Sequence, residues 1–222
     1  MTATIEPTAT ATSASAFQVR LSSDALRELA TVAVACAKIG DSLPALECVR
    51  IEWDHDKREL VTVATDRYRL AVATVTEKLD PSLESFTPSW SALVPAKEFV
   101  AAVKALPKRR GFANNAPDVY LVVSDGTISV GTVLSTGTQT VIETSQAEFP
   151  KWRILLPDVD KFAPIDGFFM APKILADVAK MPYRRSGTTR LQFTSSTKPV
   201  LMSGQGEFVE WTYLAMPSRT TD

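Results

Sequence analysis

Apolar positions along this chain follow two rhythms, and the order in which the rhythms come repeats. Phe17, Val19 and Leu21 alternate with Gln18 and Arg20, the period of a strand with one buried face. Ser22, Ser23 and Asp24 then offer helix N-caps. Leu26, Leu29, Ala30, Ala33, Val34 and Ala37 follow at helical spacing as far as Lys38, with Gly40 to end the helix. Strands are predicted over 46–53, 59–64 and 69–75, the first two joined by a polar turn at 54–57.

After a Pro- and Ser-rich connection at 80–91 the succession returns. A strand at 92–94 leads to a helix at 95–106, with Phe99, Val100, Val103 and Leu106 along one side and Pro107 as its stop. Three strands follow at 119–124, 127–133 and 139–143, the first two joined by an Asp125-Gly126 turn. A third round places a strand at 165–170, a helix at 172–181 stopped by Pro182, and strands at 189–194, 198–203 and 208–216. Each round reads β-α-β-β-β. Residues 94–104 lie over 170–180, setting Lys97 on Lys173, Phe99 on Leu175 and Lys104 on Lys180. The first helix sets Leu26 on Phe99 but has Thr31 in place of the lysine.

Composition narrows the class. With 24 basic and 25 acidic residues the formal net charge is −1, so attraction to nucleic acid or membrane must come from local segregation of charge. Cys36 and Cys48 have no metal-like spacing and read as two reduced thiols in a cytoplasmic setting. No apolar run approaches the ~20 residues of a membrane helix. Residues 1–16, rich in Thr, Ala and Ser, read as a disordered lead-in without the pattern of a secretory signal.

Charge is indeed segregated on the helices. The second carries Lys97 and Lys104 and runs into Lys108-Arg109-Arg110, and the third carries Lys173 and Lys180 and runs into Arg184-Arg185. Cations in a last turn complement the helix dipole. Doubled arginines beyond a helix-stopping proline exceed that need, and point to contact with a phosphate backbone. Residues 65–70, Thr-Asp-Arg-Tyr-Arg-Leu, turn between two apolar strands without glycine or proline, which ordinary turn chemistry does not explain. A solvated hairpin tip is the plain alternative.

Catalytic candidates are few. His55, the single histidine, lies between Asp54 and Asp56 on a predicted turn. Neither a Gly-x-x-x-x-Gly-Lys phosphate loop nor a Gly-x-Ser-x-Gly elbow is present, and no metal or cofactor motif stands out. These features point away from an enzyme, with a hydrolase built on His55 as the rival.

Five segments in order resemble the bacterial-type DNA polymerase III beta sliding clamp: 43–52 through Thr65-Asp-Arg-Tyr-Arg-Leu-Ala-Val72, Leu93-Val-Pro-Ala-Lys97, Glu148-Phe-Pro-Lys-Trp-Arg-Ile-Leu-Leu-Pro157, Lys198-Pro-Val-Leu-Met202 and Tyr213-Leu-Ala-Met-Pro-Ser-Arg219. The resemblance implies an α+β DNA clamp fold of three β-α-β-β-β modules, with helices on one face of antiparallel sheets. A complete clamp domain would span 17–157 and a third module 158–222. It implies a processivity factor that tethers a replicative polymerase to duplex DNA and binds polymerase and clamp-loader peptides. The implied pocket is Thr65, Arg67, Tyr68, Arg69, Leu70, Pro157, Val200, Leu214, Ala215, Met216, Pro217 and Arg219. Family members carry six modules and close rings of twelve, so three per chain would require a homo-oligomer of four chains. The short length suits a compact, phage-encoded member. An adaptor or decoy that keeps the pocket without encircling DNA is the alternative.

Overall fold

The computed structural model describes residues 17–38, 40, 43–77, 79, 88–108, 117–132, 139–185 and 187–218. The first round of elements is β1 (Phe17–Ser22), α1 (Ser23–Val34), β2 (Cys48–Asp54), β3 (Glu59–Thr65) and β4 (Arg69–Val75). The second is β5 (Trp90–Pro95), α2 (Ala96–Ala105), β6 (Asp118–Ser124), β7 (Thr127–Thr132) and β8 (Gln139–Glu143). The third is α3 (Pro172–Val178), β9 (Arg190–Gln192), β10 (Val200–Gln205) and β11 (Val209–Ala215).

Among the described residues all strand pairs are antiparallel and form two sheets, in the orders β1-β6-β7-β8 and β5-β2-β3-β4-β11-β10-β9. The first two modules exchange their leading strands, β1 pairing with β6 and β5 with β2. The third module joins through β11, which pairs with β4 along its whole length.

Strict alternation assigns the two faces of the seven-stranded sheet. Val49, Ile51, Trp53, Leu60, Ala71, Ala73, Val94, Met202, Trp211 and Tyr213 enter one core together with Leu26 and Leu29 of α1 and Phe99 and Val103 of α2. The smaller sheet supplies Val19, Leu21, Val119, Leu121, Ile128, Val130 and Ile142 to that same core. On the opposite face Cys48, Val61, Val63, Leu70, Val72, Leu93 and Leu214 lie against Phe149 and Trp152. Both faces are therefore covered.

α1 begins where the polar triplet places it: the Ser22 hydroxyl accepts the Ala25 N–H at 3.1 Å. Its Glu28 carboxylate accepts the N–H groups of Glu207 (3.1 Å), Phe208 (2.9 Å) and Val209 (3.1 Å), gripping the β10–β11 hairpin. Burial pushes this carboxyl up, and the three N–H donors offset only part of that effect. The Asp125-Gly126 turn forms as expected, with Gly126 at φ +71.

Four expectations fail. The first helix stops at Val34 short of Lys38, whose N–H instead donates to Leu46 O at 2.8 Å. The second strand starts at Cys48, after a 3-10 turn at Pro44–Glu47 that opens on proline. The third helix ends at Val178, because Met181 N–H turns back to Val178 O at 3.0 Å. No strand forms at 165–170, where the backbone is irregular.

The cover over the second face is pinned by Glu52. Its carboxylate accepts Trp152 Nε1 at 3.2 Å and Arg153 at 2.6 Å, and also pairs with Arg50. Burial acts to raise the carboxyl, but hydrogen bonds from Arg153, Arg50 and Trp152 outweigh it and hold Glu52 below its ordinary value of 4.5. A depressed folded value adds stability above the unfolded pKa and loses it as pH falls through the folded one. Glu52→Gln is therefore expected to cost about 2 kcal/mol at neutral pH and progressively less below pH ~4 in urea melts. A pH-independent difference would remove the charge from this account.

Candidate peptide notch and cationic cleft

The turn between β3 and β4 is built by side chains in place of glycine. Asp66 accepts the N–H groups of Tyr68 (3.1 Å) and Arg69 (2.8 Å), an Asx arrangement that closes the loop. The Thr65 hydroxyl donates to Arg69 O at 2.7 Å, and Arg67 takes the left-handed backbone at φ +80. That conformation costs a non-glycine residue about 1 kcal/mol, which the Asp66 and Thr65 bonds offset.

Arg69 turns away from solvent. Its guanidinium meets Asp66 Oδ2 at 2.6 and 2.8 Å, Asp177 Oδ2 of α3 at 2.7 Å, and the Tyr213 hydroxyl at 3.3 Å. Burial would lower this guanidinium, but the hydrogen bond to Asp66 and nearby negative charge raise it above the ordinary arginine range. Burial also pushes the neighbouring Cys36 thiol up to about 12, which leaves it protonated and unreactive at neutral pH.

Distant parts of the chain meet at this turn. Met216 N–H donates to Tyr68 O at 3.0 Å, and Leu70 sits opposite Leu214. Leu70 and Leu214 are buried beneath Phe149 and Trp152, with Leu156 and Leu201 beside them. Tyr68 is 67% exposed and Met216 39% exposed, so they form the accessible part of the notch. Pro217 is half-buried, and Arg219 lies outside the described residues. Pro157 lines an adjoining cavity of about 560 Å³ together with Ile154, Leu155, Lys198 and Pro199.

Three of the expected pocket residues face the other way. Val200 and Ala215 are cross-strand partners in the core beneath the helices. Arg69, opposite Ala215, is held by Asp66 and Asp177 on that side. The resemblance named contiguous runs of sequence, whereas a strand shows only alternate residues to one face. Leu201 stands on the notch side and was missed, although its alternation with Val200 and Met202 marks it. Asp66 was also missed, and its residue type at a turn was the available signal. Nothing in the sequence announced Asp177, the remote partner of Arg69.

A second feature lies among the helices. A cleft of about 680 Å³ between α1, α2 and α3 is lined by Arg27, Lys104, Lys108, Lys173 and Lys180, with Asp177 and Arg69 at its base. Two of the lysines come from α3 and the residues just after it, and two from α2 and the residues just after it. Lys180 reaches Asp177 at 3.3 Å. Lys97 is exposed in the first turn of α2, and Arg185 is exposed after α3. Arg184 does not join the cleft: its Nε donates to Gly206 O at 2.9 Å, which ties its loop to the β10–β11 hairpin. Arg109 and Arg110 lie outside the described residues. At the predicted hydrolase site, the Asp54 carboxylate is engaged in its own turn, accepting Lys57 N–H at 3.1 Å.

Residues 20–151 match the family model described as DNA polymerase III beta subunit, central domain. The DNA polymerase sliding clamp from Bacillus subtilis is 17% identical, with a TM-score of 0.71 over 94% of this chain and 65% of that one. The DNA polymerase sliding clamp from Pseudomonas aeruginosa is 15% identical, with a TM-score of 0.68 over 92% of this chain and 67% of that one. The DNA polymerase III subunit beta from the same organism is 13% identical, with a TM-score of 0.67 over 92% and 66%. The fold is thus shared, and the chain spans about two thirds of the length of these structures.

The turn geometry separates two kinds of residue. Asp66→Ala is expected to lower unfolding free energy by about 3 kcal/mol, because it strips a largely buried guanidinium of one of its two carboxylates and the turn of its Asx bonds. Tyr68→Ala, at an exposed position, is expected to change it by less than about 0.5 kcal/mol. Chemical denaturation of the two variants checks the contrast.

Proposed function

Since this chain belongs to the DNA polymerase III beta subunit, central domain, family, we propose that it is a non-catalytic DNA sliding clamp. It works as a homo-oligomer whose helices face duplex DNA and whose notch receives peptides of a replicative polymerase and its clamp loader. Residues 17–157 form its complete two-module unit and 158–222 the third module. The observation that carries this reading is the gathering of Lys104, Lys108, Lys173, Lys180 and Arg27 on one helical cleft, in a chain of net charge −1. Lysines of that kind neutralise phosphates without reading sequence, and sheets behind them hold the helices rigid. The Asp177 carboxylate is shared by Arg69 and Lys180, and Arg27 donates to Leu106 O, while Lys104, Lys108 and Lys173 are exposed.

The notch suits a short linear peptide. Tyr68 and Met216 are exposed, as are Ile154 and Leu155 of the segment whose Trp152 and Leu156 pack with Leu70 and Leu214, and such apolar side chains are able to hold aliphatic or aromatic anchors. The chain-spanning backbone bond from Met216 N–H to Tyr68 O helps to preform that surface. No described helix is long and apolar enough to cross a membrane, and the proposed setting is cytoplasmic. A second reading, an adaptor that binds clamp-motif peptides without encircling DNA, uses the same notch, whose exposed Tyr68 and Met216 do not depend on the cationic cleft.

Two measurements decide between them. On nicked circular DNA the protein should be retained, and linearising the circle should release it; equal loss from both forms would favour the adaptor. Replacing Lys104, Lys108, Lys173 and Lys180 by Ala should flatten the salt dependence of DNA association, by roughly one logarithmic unit of slope for each phosphate left without its lysine. For the notch, Tyr68→Ala with Met216→Ala should weaken a clamp-motif peptide by about 2 kcal/mol, near thirtyfold. Unchanged affinity by calorimetry would remove the peptide from this surface.

A further inference from the structure

The cleft between the helices has a floor for which phosphates have no use. Ala30 and Val34 stand one turn apart on α1, Val100 and Val103 on one side of α2, and Met181 just after α3; all five line the same space of about 680 Å³. Val34 is 39% exposed, Val100 is half-buried, and Ala30, Val103 and Met181 are buried. Small-molecule sites commonly enclose about 300–1,000 Å³ and form where helices or larger units meet. None of the described residues around this space is aromatic, so nothing there invites stacking. The Thr31 hydroxyl is engaged by its own helix, donating to Arg27 O at 2.8 Å, and Asp177 is held by Arg69 and Lys180. The floor thus suits hydrocarbon and offers little to the hydrogen-bonding edges of a base or a sugar.

Charge of one sign borders that floor. Lys104 lies one turn beyond Val100 on α2, which puts a cation and the apolar floor on one side of one helix. Lys108 follows α2, and Lys173 comes from α3. These three are exposed and make no ion pair among the described residues. Arg27 adds a spare donor: its Nε is buried without a hydrogen-bond partner, although Nη2 of the same group donates to Leu106 O. An ammonium on a flexible stem can meet an anionic head at varied depth while its methylenes lie along apolar surface.

We infer that this cleft binds a small amphipathic anion, an alkyl chain that ends in a phosphate monoester. The chain lies along the two α2 valines, Val34 and the pliable Met181. The head, carrying about −1.5 to −2 charge at neutral pH, is shared by Lys104, Lys108 and Lys173. A carboxylate would bring a single charge to three cations, and a neutral head none. Duplex DNA uses the same lysines, so the two ligands exclude each other. The inference does not depend on the clamp reading, because the cleft would be the same in a protein that never encircled DNA.

Calorimetry of the full chain with monododecyl phosphate, kept below its micelle concentration, tests it. The expected result is one molecule bound per chain, with inorganic phosphate and dodecyl maltoside each at least about tenfold weaker. Val34→Gln, at an exposed position, should weaken the alkyl phosphate at least about tenfold while the lysine-dependent salt slope for DNA stays as it was. Val100→Gln should do the same, which guards against a folding defect in either variant. Lys104→Ala with Lys173→Ala should weaken both ligands, and bound monododecyl phosphate should lower DNA association. Uptake of many molecules per chain would overturn the inference, as would inorganic phosphate binding as tightly or an affinity that survives both glutamine variants. Binding to phosphatidylglycerol vesicles without binding of the single alkyl phosphate would overturn it too, since the lysines would then serve a membrane surface. A chain that takes the alkyl phosphate here yet never binds DNA would sink the clamp reading alone. One that binds DNA through these lysines and ignores the alkyl phosphate would sink this inference alone.

Discussion

The antiparallel seam between β4 and β11 is the constraint from which the rest of the molecule follows. It runs the full length of both strands and makes one sheet out of modules that are far apart in sequence. One end of the seam brings Tyr68 against Met216 and so creates the notch. Because strand alternation is rigid, the same seam commits Leu70 and Leu214 to one face and Ala71, Tyr213 and Ala215 to the other. It thereby sets α3 on the same side as α1 and α2, and the lysines of the third module join those of the second.

Charge near the seam is handled in two ways. Arg69 is enclosed and satisfied by two carboxylates and a phenol, so it serves as a joint between turn and helix. The lysines a short distance away sit on flexible stems at the surface and remain available to a polyanion. Buried ion pairs cost desolvation and contribute mainly geometry, whereas exposed cations contribute little to folding and much to association. Similar residue types in one cleft therefore divide into a structural set and a binding set according to what surrounds them.

Much of this was legible in the sequence. Period-two and helical spacing located most of the elements, and the thrice-repeated order anticipated modules of one kind. What could not be read was which module each strand would join: nothing local to Phe17 says that its strand pairs with β6 and not with β2. The missing strand at 165–170 follows from that fact: Phe168 and Met170 pack on the core, and no described strand pairs with the segment. Face assignment near the notch failed at Val200 and Ala215 because a matched run of sequence carries no register. Arg184 looked like one more helix-end cation until Gly206, more than twenty residues on, claimed its guanidinium. Long-range partners of this kind leave no trace in spacing.

The grip of Glu28 on the β10–β11 hairpin has a mechanical consequence. With Arg69 bonded to Asp177 near one end of the seam and Glu28 holding three backbone N–H groups at the other, the third module is fastened at two separated points, and hinging about the strands that join it would break one set or the other. Its tilt relative to the first module is therefore a property of the folded chain. In any closed array of copies, curvature would be inherited from that built-in angle, and a lengthened or shortened side chain at position 28 would act on the circumference of the whole array.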